Sequence, residues 1–319
     1  MRFSSRIFLV LILSILVSSC GKKADNNRPP LADRKINIVT TTGMITDAVR
    51  QIGGERVDVK GLMGPGIDPH LYKASEGDVS KMLNADVIFY NGLHLEGALT
   101  DVFEKMQTRV KTSAVADGID PARLLTPAEF EGAHDPHVWF DVSMWINAAE
   151  RIREQLIALD PQSADLYRGN AAVYIDQLRQ LHEYVIIQAE SIPENLRVVV
   201  TAHDAFNYFG RAYGFEVRGL QGISTVSEAG TADVQNLADF IASRSIPAIF
   251  VESSVPRRAV EALQAAVRSR GFNVEIGGEL YSDAMGTPGT EAENYLGMVK
   301  HNIDTITNAL KGNVVTHSK

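Results

Sequence analysis

Residues 160–193 read DPQSADLYRGNAAVYIDQLRQLHEYVIIQAESIP. Proline beside Asp160 suits the first turn of a helix, where the N–H it lacks would be unpaired anyway. Tyr167, Ala171, Tyr174, Leu178, Leu181 and Val185 recur at spacings of four and three, which draws one apolar stripe until Ser191-Ile192-Pro193 ends it. About 27 residues at the helical rise span about 40 Å, roughly the width of a pair of domains. The stretch therefore predicts a rigid connecting helix over 160–191, with Tyr167 and Tyr174 in the core.

Both flanks alternate short β-branched runs with helical stretches, the pattern of βαβ units and mainly parallel sheets. Upstream, strands are expected at 36–40, 57–62, 87–90 and 110–115, with helices at 45–52, 74–84, 97–107 and 143–159. Downstream, strands are expected at 197–201, 215–220, 248–252 and 273–277, with helices at 205–213, 232–244, 259–270 and 291–310. The fold class is α/β: two lobes, 35–159 and 192–312, with mainly parallel sheets flanked by helices, joined by the one long helix. A short tail, 313–319, follows.

The front of the chain is an address. Met1-Arg2-Phe3-Ser4-Ser5-Arg6 is a short basic segment, and the apolar run from Ile7 to Val17 is too short to span a bilayer, so 1–19 reads as a secretory signal. Val17-Ser18-Ser19-Cys20 looks like a bacterial lipobox, which implies cleavage before Cys20 and a lipid on that residue. Cys20 is the only cysteine, which excludes a disulfide within the chain and a thiolate metal site. Residues 20–34 (CGKKADNNRPPLADR) read as a disordered tether. Losing Arg2 and Arg6 takes the formal charge from −8 to −10, which argues against nucleic acid as a partner. The expected product is a monomer on the periplasmic or cell-surface side of a bacterial membrane.

The chemistry gathers at two stiff turns, Asp68-Pro69-His70 and Asp135-Pro136-His137-Val138-Trp139-Phe140-Asp141. Proline fixes its own φ and holds the preceding residue extended, which aims each imidazole, and a neighbouring carboxylate can take the second ring N–H and fix the tautomer. His203 follows the strand 197–201, and Asp283 follows the strand 273–277 after a Gly-Gly turn. His70, His137, His203 and Asp283 thus all lie beyond the carboxyl ends of strands, where open α/β sheets place their ligands, two from each lobe. Three nitrogens and one carboxylate suit zinc held by four protein ligands, and substituting a carboxylate for an imidazole would move preference toward harder ions such as manganese. Glu252 reads as a partner of the site, a backbone acceptor or a cap. His94 has a small claim to the site and His134 a claim as a transient collector of metal, whereas His182, His301 and His317 read as solvated. Trp139 and Trp145 read as core.

As a set, Asp68-Pro69-His70, Asp135-Pro136-His137-Val138-Trp139, Thr201-Ala202-His203-Asp204-Ala205-Phe206, Phe250-Val251-Glu252-Ser253 and Leu280-Tyr281-Ser282-Asp283-Ala284-Met285 resemble the TroA-like zinc/manganese substrate-binding proteins of metal ABC transporters. The resemblance runs from about Lys35 to Leu310. It implies His70, His137, His203 and Asp283 as ligands, Zn2+ or Mn2+ (with Fe2+ as a further candidate) as the transported ion, and a cognate permease and ATPase as partners. Leu220-Gln221-Gly222-Ile223-Ser224-Thr225 resembles members that handle manganese as well as zinc. The stretch 117–137 has only His134 besides His137, where some zinc members carry a histidine-rich loop, and His203 stands where manganese members commonly show glutamate.

Two other functions compete. A zinc hydrolase needs a metal position open to water and a general base within reach. A lipid-anchored adhesin or structural protein would use the metal to hold its fold. For a transport receptor, release is expected to depend on the segment carrying Asp283, between Gly277 and Gly289, because its glycines make it the most mobile ligand carrier.

Overall fold

The computed structural model describes residues 28–127, 130 and 132–311. Ile36–Thr40 (β1), Val57–Gly61 (β2), Val87–Tyr90 (β3) and Lys111–Ala114 (β4) form a parallel sheet in the order β2-β1-β3-β4. Gly43–Gly53 (α1) covers one face, where Ile38, Val87 and Phe89 point. Glu76–Leu83 (α2) and Thr100–Met106 (α3) cover the other, where Val39 and Ile88 meet Met82, Phe103 and Met106. The sheet is apolar on both sides because parallel strands need helices on both sides.

Val142–Leu159 (α4) then leads into Ala164–Glu190 (α5), the 27-residue connecting helix. Pro161 sits in a 3-10 turn just before α5, and the expected stripe of Tyr167, Ala171, Tyr174, Leu178, Leu181 and Val185 is buried. The second half supplies Val198–His203 (β5), Asn207–Tyr213 (α6), Glu216–Gln221 (β6), Thr231–Arg244 (α7), Ala248–Glu252 (β7), Arg258–Arg268 (α8), Glu275–Leu280 (β8) and Tyr295–Ala309 (α9). β5 pairs with β6 and β7 with β8, each parallel, and β5 lies beside β7. The expected strands and helices are all present, with ends displaced by a few residues and with 3-10 turns at Gly97–Leu99 and Glu291–Glu293 where α-helix was expected.

Each lobe has a smaller apolar cluster of its own, around Met82 and Phe103 in the first and Ile241 and Leu263 in the second, but the main core is shared. One apolar cluster runs from Ile38 and Ala48 through Trp145, Tyr174 and Leu178 to Phe206, Phe250 and Ile303. Helix α5 packs against α1, α4 and α9, so its stripe joins both halves. Arg56 adds a polar joint, donating to Asp160 Oδ2 at 2.8 Å, and Tyr167 donates to the same oxygen at 2.9 Å. A ligand cleft over such a core can change shape only locally, because close-packed interiors do not deform continuously.

Several expectations need correction. The predicted disorder of the tether does not extend to residues 28–34. Arg34 forms a two-pronged bridge to Asp86 at 2.6 and 2.7 Å, and Leu31 accepts from Arg56. Residues 1–27, with Cys20, and 312–319, with His317, lie outside the described residues. Gly277-Gly278 is no turn: both glycines lie inside β8, where the ladder skips Gly277 between Ile249 and Phe250. A Cβ on Gly277 would stand 2.6 Å from Ala309 Cβ, so close packing and not freedom requires glycine there. His182 and His301 are half-buried, His182 beside the Tyr213 hydroxyl at 3.0 Å and His301 beside Glu279 O at 3.0 Å.

Shortening the stripe at its centre tests whether α5 holds the halves together. Leu178→Ala is expected to destabilise the ion-free chain by about 2–5 kcal/mol as one cooperative transition. Denaturant unfolding in the presence of a chelator measures this, and two separated transitions would mean that the lobes fold independently.

Candidate metal centre

The carboxyl ends of the strands converge on one point. His70 lies in the loop after β2, His137 after β4 at the front of a 3-10 turn formed by Val138–Phe140, and Asp283 three residues after β8. His203 is the last residue of β5 itself, whereas the strand expected from the sequence ends two residues before it. One donor atom from each of the four lies within 4.8 Å of every other. His137 and His203 are sealed from solvent, Asp283 nearly so, and His70 is the most exposed at 5%.

The spacing fits a cation. His70 Nε2 lies 3.3 Å from His137 Nε2 and 3.6 Å from Asp283 Oδ2, His203 Nε2 lies 3.3 Å from Asp283 Oδ2, and His137 Nε2 lies 3.6 Å from Asp283 Oδ1. A tetrahedron with bonds of about 2.0–2.2 Å has edges of about 3.3–3.6 Å. His203 Nε2 and both Asp283 oxygens are buried with no hydrogen-bond partner among the described residues. Such orphaned groups are costly unless something of the opposite character sits between them.

Each histidine is aimed from behind, in three different ways. Asp135 takes both the backbone N–H (3.0 Å) and Nδ1 (2.7 Å) of His137 on Oδ1, and its Oδ2 accepts from Asn207 at 3.1 Å. This is the role that the sequence allowed for a neighbouring carboxylate. Asp141, the other flanking acid, instead caps α4 by accepting from Ser143 N. Glu252 resolves as the partner of His203: Oε1 accepts the backbone N–H at 2.8 Å, and Oε2 lies 2.6 Å from Nδ1. Asp68 does not hold the His70 ring. It accepts the His70 backbone N–H on Oδ1 at 2.8 Å and the Thr225 hydroxyl on Oδ2 at 2.6 Å.

Other supporting residues gave no local signal. Tyr208 donates to Asp135 O at 2.9 Å and Asn91 to Pro136 O at 3.0 Å, fixing the His137 turn. Trp139 is core, as expected, and its indole donates to Ser282 O at 3.0 Å, which ties the His137 turn to the Asp283 segment. His94 and His134 stand apart from the four: His94 is exposed, and His134 meets the Thr126 hydroxyl at 2.9 Å.

Charge is divided unevenly. Burial disfavours a charge on His203, but Glu252 and Asp283 on either side raise its pKa well above the ordinary 6.5. Burial also disfavours charge on Asp283, yet His203, then His137 and His70, hold it below the usual carboxylate range. His70 goes the other way, pushed down to about 3 mainly by burial. The ion-free centre therefore holds a protonated His203 against an ionised Asp283. That pair's contribution to stability is present below pH 6.5 and is lost as pH rises through the raised value of His203. A cation must displace the proton, so its affinity should rise with pH over the same range. Calorimetry in buffers of different ionisation enthalpy should show about one proton released per ion at pH 7; zero release would mean that His203 is neutral before the ion arrives.

Comparison with known proteins places this geometry. The chain is 52% identical over 287 residues to the zinc-binding protein TroA of Treponema pallidum (strain Nichols), covering 90% of this chain and 92% of that protein. It is 47% identical over 302 residues to the manganese-binding lipoprotein MntA of Bacillus subtilis (strain 168), covering 95% and 97%. It is 32% identical over 309 residues to the iron ABC transporter substrate-binding lipoprotein MtsA of Streptococcus pyogenes serotype M1, covering 95% and 96%. The solved structure of the TroA protein superposes with a TM-score of 0.85, covering 86% of this chain and 99% of that one. Residues 38–309 match the family model of ZnuA, described as zinc-uptake complex component A, periplasmic. With the two-lobed fold and the His3Asp cluster already in place, that match shows that the chain belongs to the ZnuA family of metal-uptake binding proteins.

Proposed function

We propose that His70, His137, His203 and Asp283 together hold one divalent transition-metal ion, zinc or manganese, as cargo between the lobes. The chain delivers that ion to a membrane permease driven by an ATPase. The observation that carries this reading is the buried Asp283 carboxylate, whose oxygens face three imidazole nitrogens and take no hydrogen bond from outside the centre. Four metal-ligating groups aimed at one buried point are what a bound cation would complete. No bond is made or broken. Asp135 accepts from His137, Glu252 lies against His203, and Asp68 accepts from Thr225 and a backbone N–H, so none of these three carboxylates is placed as the general base that the hydrolase alternative needs.

The donor set does not choose one ion. Asp283 Oδ2 faces His70 and His203 while Oδ1 faces His137, so the carboxylate can bind through one oxygen or two. One oxygen completes the four-coordinate arrangement that zinc prefers, and two oxygens add the ligand that suits manganese. Relatives named for zinc, manganese and iron lie at 52%, 47% and 32% identity, a spread consistent with an adaptable centre. Among the described residues no helix is long and apolar enough to cross a membrane. Attachment is assigned to a lipid on Cys20, supported by the Val17-Ser18-Ser19-Cys20 pattern and by relatives named as lipoproteins.

Competition calorimetry with zinc and manganese on the chain lacking its leader should give one ion per chain at a shared site. His203→Glu, which trades an imidazole for a harder oxygen, should move the preference toward manganese by about tenfold or more. Unchanged binding of both ions would remove His203 from the centre, and unfolding of the wild-type chain on chelation would favour a structural role for the metal.

A further inference from the structure

The four residues of the centre are not held equally. His203 ends a fully buried strand and is gripped at two atoms by Glu252. His137 is gripped at two atoms by Asp135, which Asn207 and Tyr208 hold in turn. The Asp283 segment is clamped on both sides. Trp139 donates to Ser282 O, the Ser254 and Ser282 hydroxyls meet at 3.0 Å, Ser253 donates to Ala284 O at 3.3 Å, and Asn302 bonds both backbone groups of Tyr281. Residues 282–284 are buried, and of the glycines expected to make this segment mobile, Gly277 and Gly286 have no room for even a Cβ.

The His70 segment is different. Between Met63 and Tyr72 it has no regular structure, Gly64 through Ile67 and Leu71 are exposed, and Gly66 adopts φ 72°. Among the described residues the His70 ring nitrogens meet only the other members of the centre. What locates the imidazole is its backbone N–H on Asp68 Oδ1, and Asp68 in turn is tied across the cleft by the Thr225 hydroxyl at 2.6 Å. Thr225 belongs to the opposite lobe, in the irregular stretch between β6 and α7, and is itself 8% exposed.

Resting on the four-ligand reading above, we propose that Thr225 is the positioning residue of the cargo gate. Its hydroxyl, through Asp68, latches the His70 turn over the ion, and release proceeds by outward movement of the 64–71 segment while the other three ligands stay in place. The latch is a single cross-lobe hydrogen bond to a carboxylate, and such a bond resists opening without demanding movement of the continuous core.

The test is the rate at which zinc-loaded protein gives up its ion to excess chelator in stopped flow. Thr225→Val, which keeps the side-chain shape and removes the donor, should accelerate release by about tenfold. Thr225→Ser, which restores the hydroxyl, should release at close to the wild-type rate. The ion-free Thr225→Val chain should still unfold in denaturant in a single cooperative transition, as the wild-type chain should, which separates a latch from a general structural role. Release from Thr225→Val at the wild-type rate, from a chain that still binds one ion, would overturn the latch alone. A wild-type chain that binds no ion would overturn the latch together with the four-ligand reading.

Discussion

The centre is arranged around a buried carboxylate that takes no hydrogen bond from outside the cluster of imidazoles facing it. Asp283 is 2% exposed, and the groups facing its oxygens are imidazole nitrogens, not backbone or side-chain donors that would satisfy it permanently. A buried charge held only by the imidazoles that face it is tolerated where the surroundings prevent the site from collapsing or flooding. The carboxylates behind His137 and His203 supply the fixed geometry, and the cross-links from Trp139, Asn302 and Ser253 keep the Asp283 segment from turning away.

That polar arrangement depends on the apolar core beneath it. Because one cluster runs through both halves along α5, the distances across the cleft are set by packing and not by a flexible linker. Rigidity then has a chemical consequence. The nitrogens of His137 and His203 cannot rearrange much, and on the proposed reading the freedom left to the centre lies in how many Asp283 oxygens engage and in how the His70 turn is closed. Adaptable coordination number and a loosely held fourth ligand are what a carrier needs, since it must bind firmly and still let go.

The fold was legible because its signals are local. The stripe on α5 repeats at the helix period and is buried along it, and the β-branched runs of β1, β3 and β7 are buried almost throughout, as parallel strands covered on both faces require. The four donors were legible for a related reason: two Asp-Pro-His turns and two polar residues past strand ends fall where parallel sheets collect ligands. What escaped was long-range. Nothing near Thr225 in sequence points to Asp68, and nothing near Asn207 points to Asp135. The glycines at 277 and 278 misled because glycine serves close packing as well as freedom, and only the approach of Ala309 to Gly277 decides between the two. Arg34 looked like part of a polar tether because its partner, Asp86, lies a full βαβ unit away.

The central claim is that one ion is bound by these four residues and by no others. Crystals of the loaded chain, with anomalous difference maps recorded at the zinc and manganese absorption edges, test it most directly. The account predicts a single peak between the lobes within about 2.0–2.3 Å of the Nε2 atoms of His70, His137 and His203 and of one or both oxygens of Asp283. A peak outside that tetrad, or one within it that keeps a water and leaves Asp283 unbound, would contradict the account.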